Sequence, residues 1–409
     1  MQNTPRGIRL HIGIFGKRNV GKSSILNSLT GQNISIVSEI AGTTTDPVEK
    51  AMELLPLGPV VFVDTAGIDD EGDLGQLRVN KTYGMFDRID IAVLVVDNRG
   101  FDDYEKLLVE KFKSRKIPYI VVLNKSDYGY ATDDIVASQK QQHQEVVVVS
   151  SLNKKGIDEL KQSLINLAPD EFINTPSIAS DLLPAGEVAV LVVPIDLEAP
   201  KGRLILPQVQ TIRELLDNDN ITIVAKEREL KEALNRLNKP PSLVITDSQA
   251  FLKVSADVPK GIMLTSFSIL FARFKGELNE FVRGATAIEH LKTGDKVLIC
   301  ESCTHHSIGD DIGRVKIPRW LTQFAGGKLE FVHYSGHDFP ENLEQYKLIV
   351  HCGACMTNRR EVLSRIIKAK NANVPITNYG LAIAYSLGIF ERALEPFPMA
   401  KQIYEESKL

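Results

Sequence analysis

Gly16-Lys17-Arg18-Asn19-Val20-Gly21-Lys22-Ser23 has the spacing of a phosphate-binding loop, in which glycines let backbone N–H groups close around phosphate oxygens. Lys22 would neutralise the β- and γ-phosphates and the Ser23 hydroxyl would ligate Mg²⁺, with Ser24 next along the opening helix. A glycine-rich turn with a nearby lysine is the plainer alternative, and three further segments weigh against it. Asp64-Thr65-Ala66-Gly67 offers a carboxylate that reaches the metal through water and a Gly67 N–H that senses the γ-phosphate. Asn124-Lys125-Ser126-Asp127 offers, in Asp127, a carboxylate for two N–H groups of a guanine edge. Adenine has no 2-amino group and would leave that carboxylate unpaired, so the set selects GTP over ATP. Ser150 and Ser151 follow, placed to meet the guanine carbonyl through backbone N–H.

A second constellation lies in the last third. The four cysteines are Cys300, Cys303, Cys352 and Cys355, and five of the eight histidines fall between His305 and His351. Two C-x-x-C pairs are compatible with tetrahedral zinc, but the 48 residues between Cys303 and Cys352 exceed the usual ribbon spacing. Soft thiolate sites also hold iron–sulfur clusters. Spacing alone leaves both metals open, with unliganded core cysteines as the ordinary alternative.

These residues need elements to bring them together. Short, β-branched, nearly all-apolar runs at Leu10–Phe15, Val60–Val63, Ile91–Val96, Tyr119–Leu123 and Val146–Val149 read as strands buried on both faces. Helical segments Lys22–Leu29, Tyr104–Lys113 and Ile157–Leu167 alternate with them. The fold class is therefore α/β with a mostly parallel sheet, and every nucleotide motif follows a strand, at the edge where open α/β sheets bind ligands. A turn-rich stretch from 171 to 184 separates a second alternation: strands Val188–Val193, Ile221–Ala225, Leu243–Thr246 and Gly261–Thr265, with helices at Gln208–Leu216 and Glu227–Leu237. A helix over Phe267–Val282 then opens a third, with strands Lys296–Ile299, Leu329–His333, Leu348–His351 and Val374–Thr377 and a helix at Arg360–Lys368. The expected domains are 1–170, 171–265 and 266–409. If the strands ending near 299 and 350 are parallel neighbours, both cysteine pairs emerge at one edge.

Composition bounds the rest. At 409 residues the chain exceeds one ordinary core, and 43% apolar with 24% charged residues is typical of globular proteins. A net charge of −4 gives no general basis for nucleic-acid binding. No stretch reads as a signal peptide or membrane span, so a cytoplasmic protein with no membrane partner is expected.

The nucleotide motifs resemble those of the TrmE-Era-like GTPases. Gly42-Thr43-Thr44-Thr45-Asp46 is similar to their first switch, which implies Thr44 as a further Mg²⁺ ligand beside Ser23 and Asp64. Thr45 departs from the family's usual arginine. Ile68 stands where Ras-like proteins carry a water-orienting glutamine, so slow intrinsic hydrolysis is expected; the resemblance implies K⁺ stimulation, with the ion held by Asn19. Cys303-x-His305 followed by His351-Cys352-x-x-Cys355, with Gly309-Asp310-Asp311-Ile312-Gly313 nearby, resembles the [FeFe]-hydrogenase maturation GTPases. That resemblance covers the whole chain: a GTPase domain, a small α/β dimerisation domain and a cluster domain. It implies a [4Fe–4S] cluster on Cys303, Cys352 and Cys355, whose fourth iron is open or held by His305, His351 or Glu301. Cys300 is either that fourth ligand or a strand-end cysteine; an exchangeable iron site, which suits a scaffold, favours the second. The segment at 309–313 is either a substrate-cluster contact or a solvated loop. The implied role is a homodimeric scaffold that receives a di-iron subcluster precursor from radical-SAM maturation enzymes and delivers it to apo-[FeFe]-hydrogenase. The alternative from another class is a tRNA- or ribosome-associated GTPase with a structural zinc module.

Overall fold

The structure, a computed structural model, describes residues 9–30, 48–54, 58–64, 84–97, 101–128, 133–143, 145–169, 176–194, 204–302 and 311–408. The chain divides into two compact units, Met1–Thr175 and Pro176–Leu409.

In the first unit six strands form one sheet: β1 (Leu10–Phe15), β2 (Val48–Leu54), β3 (Gly58–Asp64), β4 (Ile91–Val96), β5 (Tyr119–Leu123) and β6 (Val146–Val148). Their order is β2-β3-β1-β4-β5-β6. All neighbours run parallel except β2, which pairs antiparallel with β3 at the edge. β2 is absent from the sequence expectation because Val48, Lys50, Met52 and Leu54 alternate with Glu49 and Glu53 rather than forming an apolar run. The central strand β4 shows why its run is continuous. Ile91, Val93 and Val95 enter one core with Ile25, Leu160 and Leu164, while Ala92, Leu94 and Val96 enter another with Phe86 and Phe112. Helices α1 (Lys22–Thr30), α2 (Asp103–Ser114), α3 (Asp133–Gln142) and α4 (Ile157–Leu167) complete the described part.

The second unit holds two four-stranded sheets. The first contains β7 (Val188–Val192), β8 (Ile221–Ala225), β9 (Leu243–Thr246) and β10 (Met263–Ser266), ordered β10-β9-β7-β8 and all parallel. Helices α5 (Leu206–Asp217), α6 (Leu230–Asn235) and α7 (Phe251–Asp257) connect them. Its edge strand β8 leaves Ile221 and Val224 about half exposed, and among the described residues no strand pairs with its outer side. The second sheet contains β11 (Lys296–Glu301), β12 (Glu330–Ser335), β13 (Leu348–His351) and β14 (Ile376–Asn378), ordered β12-β11-β13-β14 and again parallel.

The single helix expected over 267–282 is two helices, α8 (Phe267–Lys275) and α9 (Leu278–Thr286). Gly276 caps the first in an extended conformation that no helix can continue. Arg359 stabilises the break by donating to the carbonyls of Phe274 at 2.9 Å and Gly276 at 3.1 Å. A π-helical turn, Ile312–Lys316, leads into α10 (Ile317–Ala325); α11 (Arg359–Asn371) and α12 (Tyr379–Ser386) follow β13 and β14.

Helix α9 crosses β14 at Gly284, where an added Cβ would lie 1.9 Å from the carbonyl oxygen of Ile376. Backbone cannot yield as a side chain can. Gly284→Ala is therefore expected to cost about 1–3 kcal/mol, read as a lower urea midpoint for the second unit's transition.

Candidate functional site

The phosphate-binding segment bridges β1 and α1, as its sequence requires. Gly16 has φ 141° and an added Cβ would sit 2.3 Å from the Val95 carbonyl oxygen, so only glycine fits. Val20 is buried and anchors the loop, while Asn19 is exposed at φ 65°. Lys22 turns back over the loop, its Nζ donating to the carbonyls of Gly16 at 2.7 Å and Lys17 at 2.8 Å. Ser23 and Ser24 lie in the first turn of α1, where backbone N–H groups and the helix dipole favour an anion.

Asn124 ties this loop to the far side of the sheet. It is buried, donates Nδ2–H to the Val20 carbonyl at 2.8 Å and accepts from the Ser151 N–H at 3.3 Å. Gly21 packs so closely that a Cβ would meet Asn124 Nδ2 at 2.3 Å. Lys125, at φ 60°, pairs with Asp97 at 2.9 Å, which fixes the turn after β5. Asp127 is exposed at the sheet edge, one oxygen accepting from Ser150 Oγ at 2.6 Å. The loop after β1, the turn after β5 and Ser150–Ser151 thus come together in one unit. Asp64 ends β3 at the same edge. Thr44 and Gly67 lie outside the described residues.

Sequence reasoning missed one feature here. Lys17 pairs with Asp102 and, at 3.3 Å, with the buried Glu105 of α2. Burial pushes the Glu105 carboxyl above the usual carboxylate range. This contact joins the phosphate-binding loop to α2; its only sequence signal was Asp102 and Glu105 in helix-capping spacing.

In the second unit the cysteine segments meet as the parallel reading requires. Cys300 pairs in register with Tyr334 on one side and His351 on the other, and the Cys352 N–H donates to the Cys300 carbonyl at 2.9 Å. Cys352 Sγ lies 3.1 Å from the Ser302 N–H, 3.4 Å from the Ala354 N–H and 3.3 Å from Ser302 Oγ. Ala354 takes φ 53° to turn that N–H inward. Burial raises the Cys352 thiol, as does the neighbouring Cys355, while these hydrogen bonds lower it.

Cys300 is fully buried, and burial pushes its thiol up to about 12. As the register partner of His351 it shares that residue's face of the sheet. His351 uses both ring nitrogens: Nδ1 meets the Cys352 carbonyl at 2.8 Å and Nε2 meets Arg365 at 2.9 Å. Burial, then Arg365, hold its pKa down to about 4. Neither nitrogen is left for a metal in this arrangement. Glu301 lies near Tyr379 at 3.4 Å and Arg314 at 3.6 Å. Gly313 packs against both Tyr379 and Glu301, and its carbonyl faces His333 at 3.3 Å. Cys303, His305, Gly309 and Asp310 lie outside the described residues. Among the described residues no three His, Cys, Asp or Glu groups converge as a metal site.

Asn124→Ala would remove the partner of the Val20 carbonyl and of the Ser151 N–H. Loss of buried hydrogen bonds of this kind costs about 1–3 kcal/mol. The expected result is a lower midpoint for the first unit's unfolding transition in urea.

Each part of the chain resembles known proteins. Residues 11–125 match the "50S ribosome-binding GTPase" family model. GTPase Der of Wolinella succinogenes is 39% identical over 180 residues, covering 41% of this chain and 37% of that protein. The tRNA modification GTPase MnmE of Clostridioides difficile is 35% identical over 153 residues, covering 37% of this chain and 33% of that protein. The chain thus spans about a third of the length of these curated relatives. Among solved structures, Era of Aquifex aeolicus bound to GDP·AlF₄⁻ overlaps 53% of this chain and 92% of its own, at 21% identity and TM-score 0.34. No described helix is long and apolar enough to cross a membrane. Residues 178–276 match the hydrogen maturase F dimerization domain and residues 279–396 the hydrogen maturase F tetramerization domain. With these two domains behind a GTPase domain, the chain belongs to the hydrogen maturase F (HydF) family, the hydrogenase maturation GTPases.

Proposed function

We propose that this protein is a GTP-hydrolysing scaffold that holds a di-iron subcluster precursor and transfers it to apo-[FeFe]-hydrogenase. The observation that carries this reading is the setting of Cys352. Its sulfur faces two backbone N–H groups and a hydroxyl beside Cys355, at the edge where the strand before Cys303 also ends. N–H donors aimed at sulfur stabilise thiolate ligands and tune iron–sulfur clusters. The donors around Cys352 suit that residue as a cluster ligand, and the proposed occupant is a [4Fe–4S] cluster on Cys303, Cys352 and Cys355. When bound, such a cluster supplies one iron with an exchangeable ligand position.

Cys300 faces the buried His351 and Arg365 layer, which supports reading it as a strand-end cysteine rather than a ligand. With His351 engaged, His305 and Glu301 remain candidates for the exchangeable position. In the first unit Lys22, Ser23, Thr44, Asp64 and Gly67 would hold the phosphates and Mg²⁺, and Asn19 a stimulating K⁺. Asp127, Asn124, Lys125, Ser150 and Ser151 would bind guanine. Hydrolysis would bias a partner-release equilibrium through switch segments that order around the γ-phosphate.

The apolar edge at Ile221 and Val224 supports self-association through β8, with two copies extending one sheet across a two-fold axis. Radical-SAM maturation enzymes are the proposed source of the precursor. The name of MnmE refers to tRNA modification by that protein, and the GTPase family model's description to ribosome binding; the domains behind the GTPase here match hydrogen maturase F instead.

Anaerobically reconstituted protein loaded with a synthetic di-iron complex is expected to activate apo-hydrogenase. Cys352→Ala and Cys355→Ala should abolish activation and Cys300→Ala should retain it. Wild-type protein that binds the complex but never activates the enzyme would refute the carrier role.

A further inference from the structure

Behind the Cys352 segment lies a buried polar group that the scaffold reading does not use, and the inference drawn from it rests on that reading. Arg365 projects from α11 and is 3% exposed. Its Nη1 donates to His351 Nε2 at 2.9 Å; its Nη2 donates to the Gly336 carbonyl at 2.9 Å and to Glu361 Oε1 at 2.7 Å. One guanidinium thus joins the end of β12, the end of β13 and the helix that follows. His337 approaches the outer side of Glu361 at 3.0 Å, and the Phe339 ring lies 5.3 Å from the guanidinium.

The donors and acceptors leave His351 no choice of state. A carbonyl can only accept, so the nitrogen facing Cys352 O carries the proton. A guanidinium can only donate, so the nitrogen facing Arg365 presents its lone pair. Two independent contacts therefore fix one neutral tautomer and occupy both nitrogens. A buried ion pair is a costly way to fill a core, and apolar residues would commonly serve stability as well. The pair here ends on the backbone carbonyl of a cysteine in the metal-binding motif.

We propose that Arg365 is a positioning residue of the cluster site. Through His351 it fixes the carbonyl of Cys352, and by engaging Nε2 it withholds that imidazole from iron, so the exchangeable position stays open. Glu361 balances the buried charge and orients the guanidinium. Arg365 acts through His351 and not on the cluster directly, so the two residues form one mechanical unit.

The test uses full-length protein reconstituted anaerobically with iron and sulfide, comparing wild type, Arg365→Met, His351→Asn and the double variant. The readouts are the midpoint potential of the cluster and its nitrogen couplings by pulsed EPR. Both single variants should shift the potential in the same direction, and the double variant should shift it no further than the larger single one. The nitrogen couplings of wild type should persist in His351→Asn. Additive shifts, an Arg365→Met protein indistinguishable from wild type, or a coupling lost in His351→Asn would each overturn the proposal. Should Arg365→Met alone not fold, Arg365→Met/Glu361→Leu, which removes both charges together, takes its place in the series. Wild-type protein that holds no cluster would instead defeat the scaffold reading itself, and this proposal with it.

Discussion

A parallel sheet delivers the carboxyl end of every strand to the same edge, and both chemistries of this chain are built on that constraint. In the first unit it brings the loop after β1 together with the turn after β5 and Ser150–Ser151, although Asn124 lies 104 residues beyond Val20. In the second it sets Cys300, His351 and the Cys352 segment side by side from strands far apart in sequence. The central strands are mostly apolar until their last residues, where Asp64, Cys300, Glu301 and His351 stand. Their contribution is register: moving β13 by one residue against β11 would turn His351 away from Arg365 and Cys352 away from Ser302.

The two sites solve the positioning problem differently. Around the phosphate-binding loop, short polar side chains bond to backbone. Asn124 holds Val20 and Ser151 together, and Lys22 closes on its own loop. Around Cys352 the backbone itself supplies the donors, with Ala354 in a left-handed turn, and the charges stand one layer behind. This separation suits the proposed roles. A nucleotide that is bound and released needs charge at the contact surface. A thiolate ligand needs steady N–H donors and a fixed loop.

Much of this was legible in the residues. Continuous β-branched runs gave the parallel strands, because a strand buried on both faces has no polar residues to interrupt it. The nucleotide motifs could be read because their spacing is set by the phosphates and base they hold. The edge strand β2 escaped because Glu49, Lys50 and Glu53 interrupt its apolar residues, so no continuous run marks it. The break at Gly276 escaped because a lone glycine can sit within a helix, and the contacts from Arg359 that hold this break come from a distant segment. Arg365 escaped for a similar reason. Its helix was expected, but nothing in the sequence marks Glu361 and Arg365 as inward-facing, whereas both are buried on the face with Val362 and Ile366. What a lone sequence conceals is which charged face turns inward, since that depends on what the other elements leave to be filled.

The proposed role requires thiolates that follow separate strands to meet around iron at the edge of the last sheet. The most direct measurement is Mössbauer spectroscopy with metal and sulfide analysis on anaerobically purified full-length protein. The expected result is the signature of a four-iron, four-sulfide cluster, about four irons per chain, lost together when Cys352 or Cys355 is replaced by alanine. Stoichiometric zinc in its place, or iron binding that survives loss of both cysteines, would contradict it.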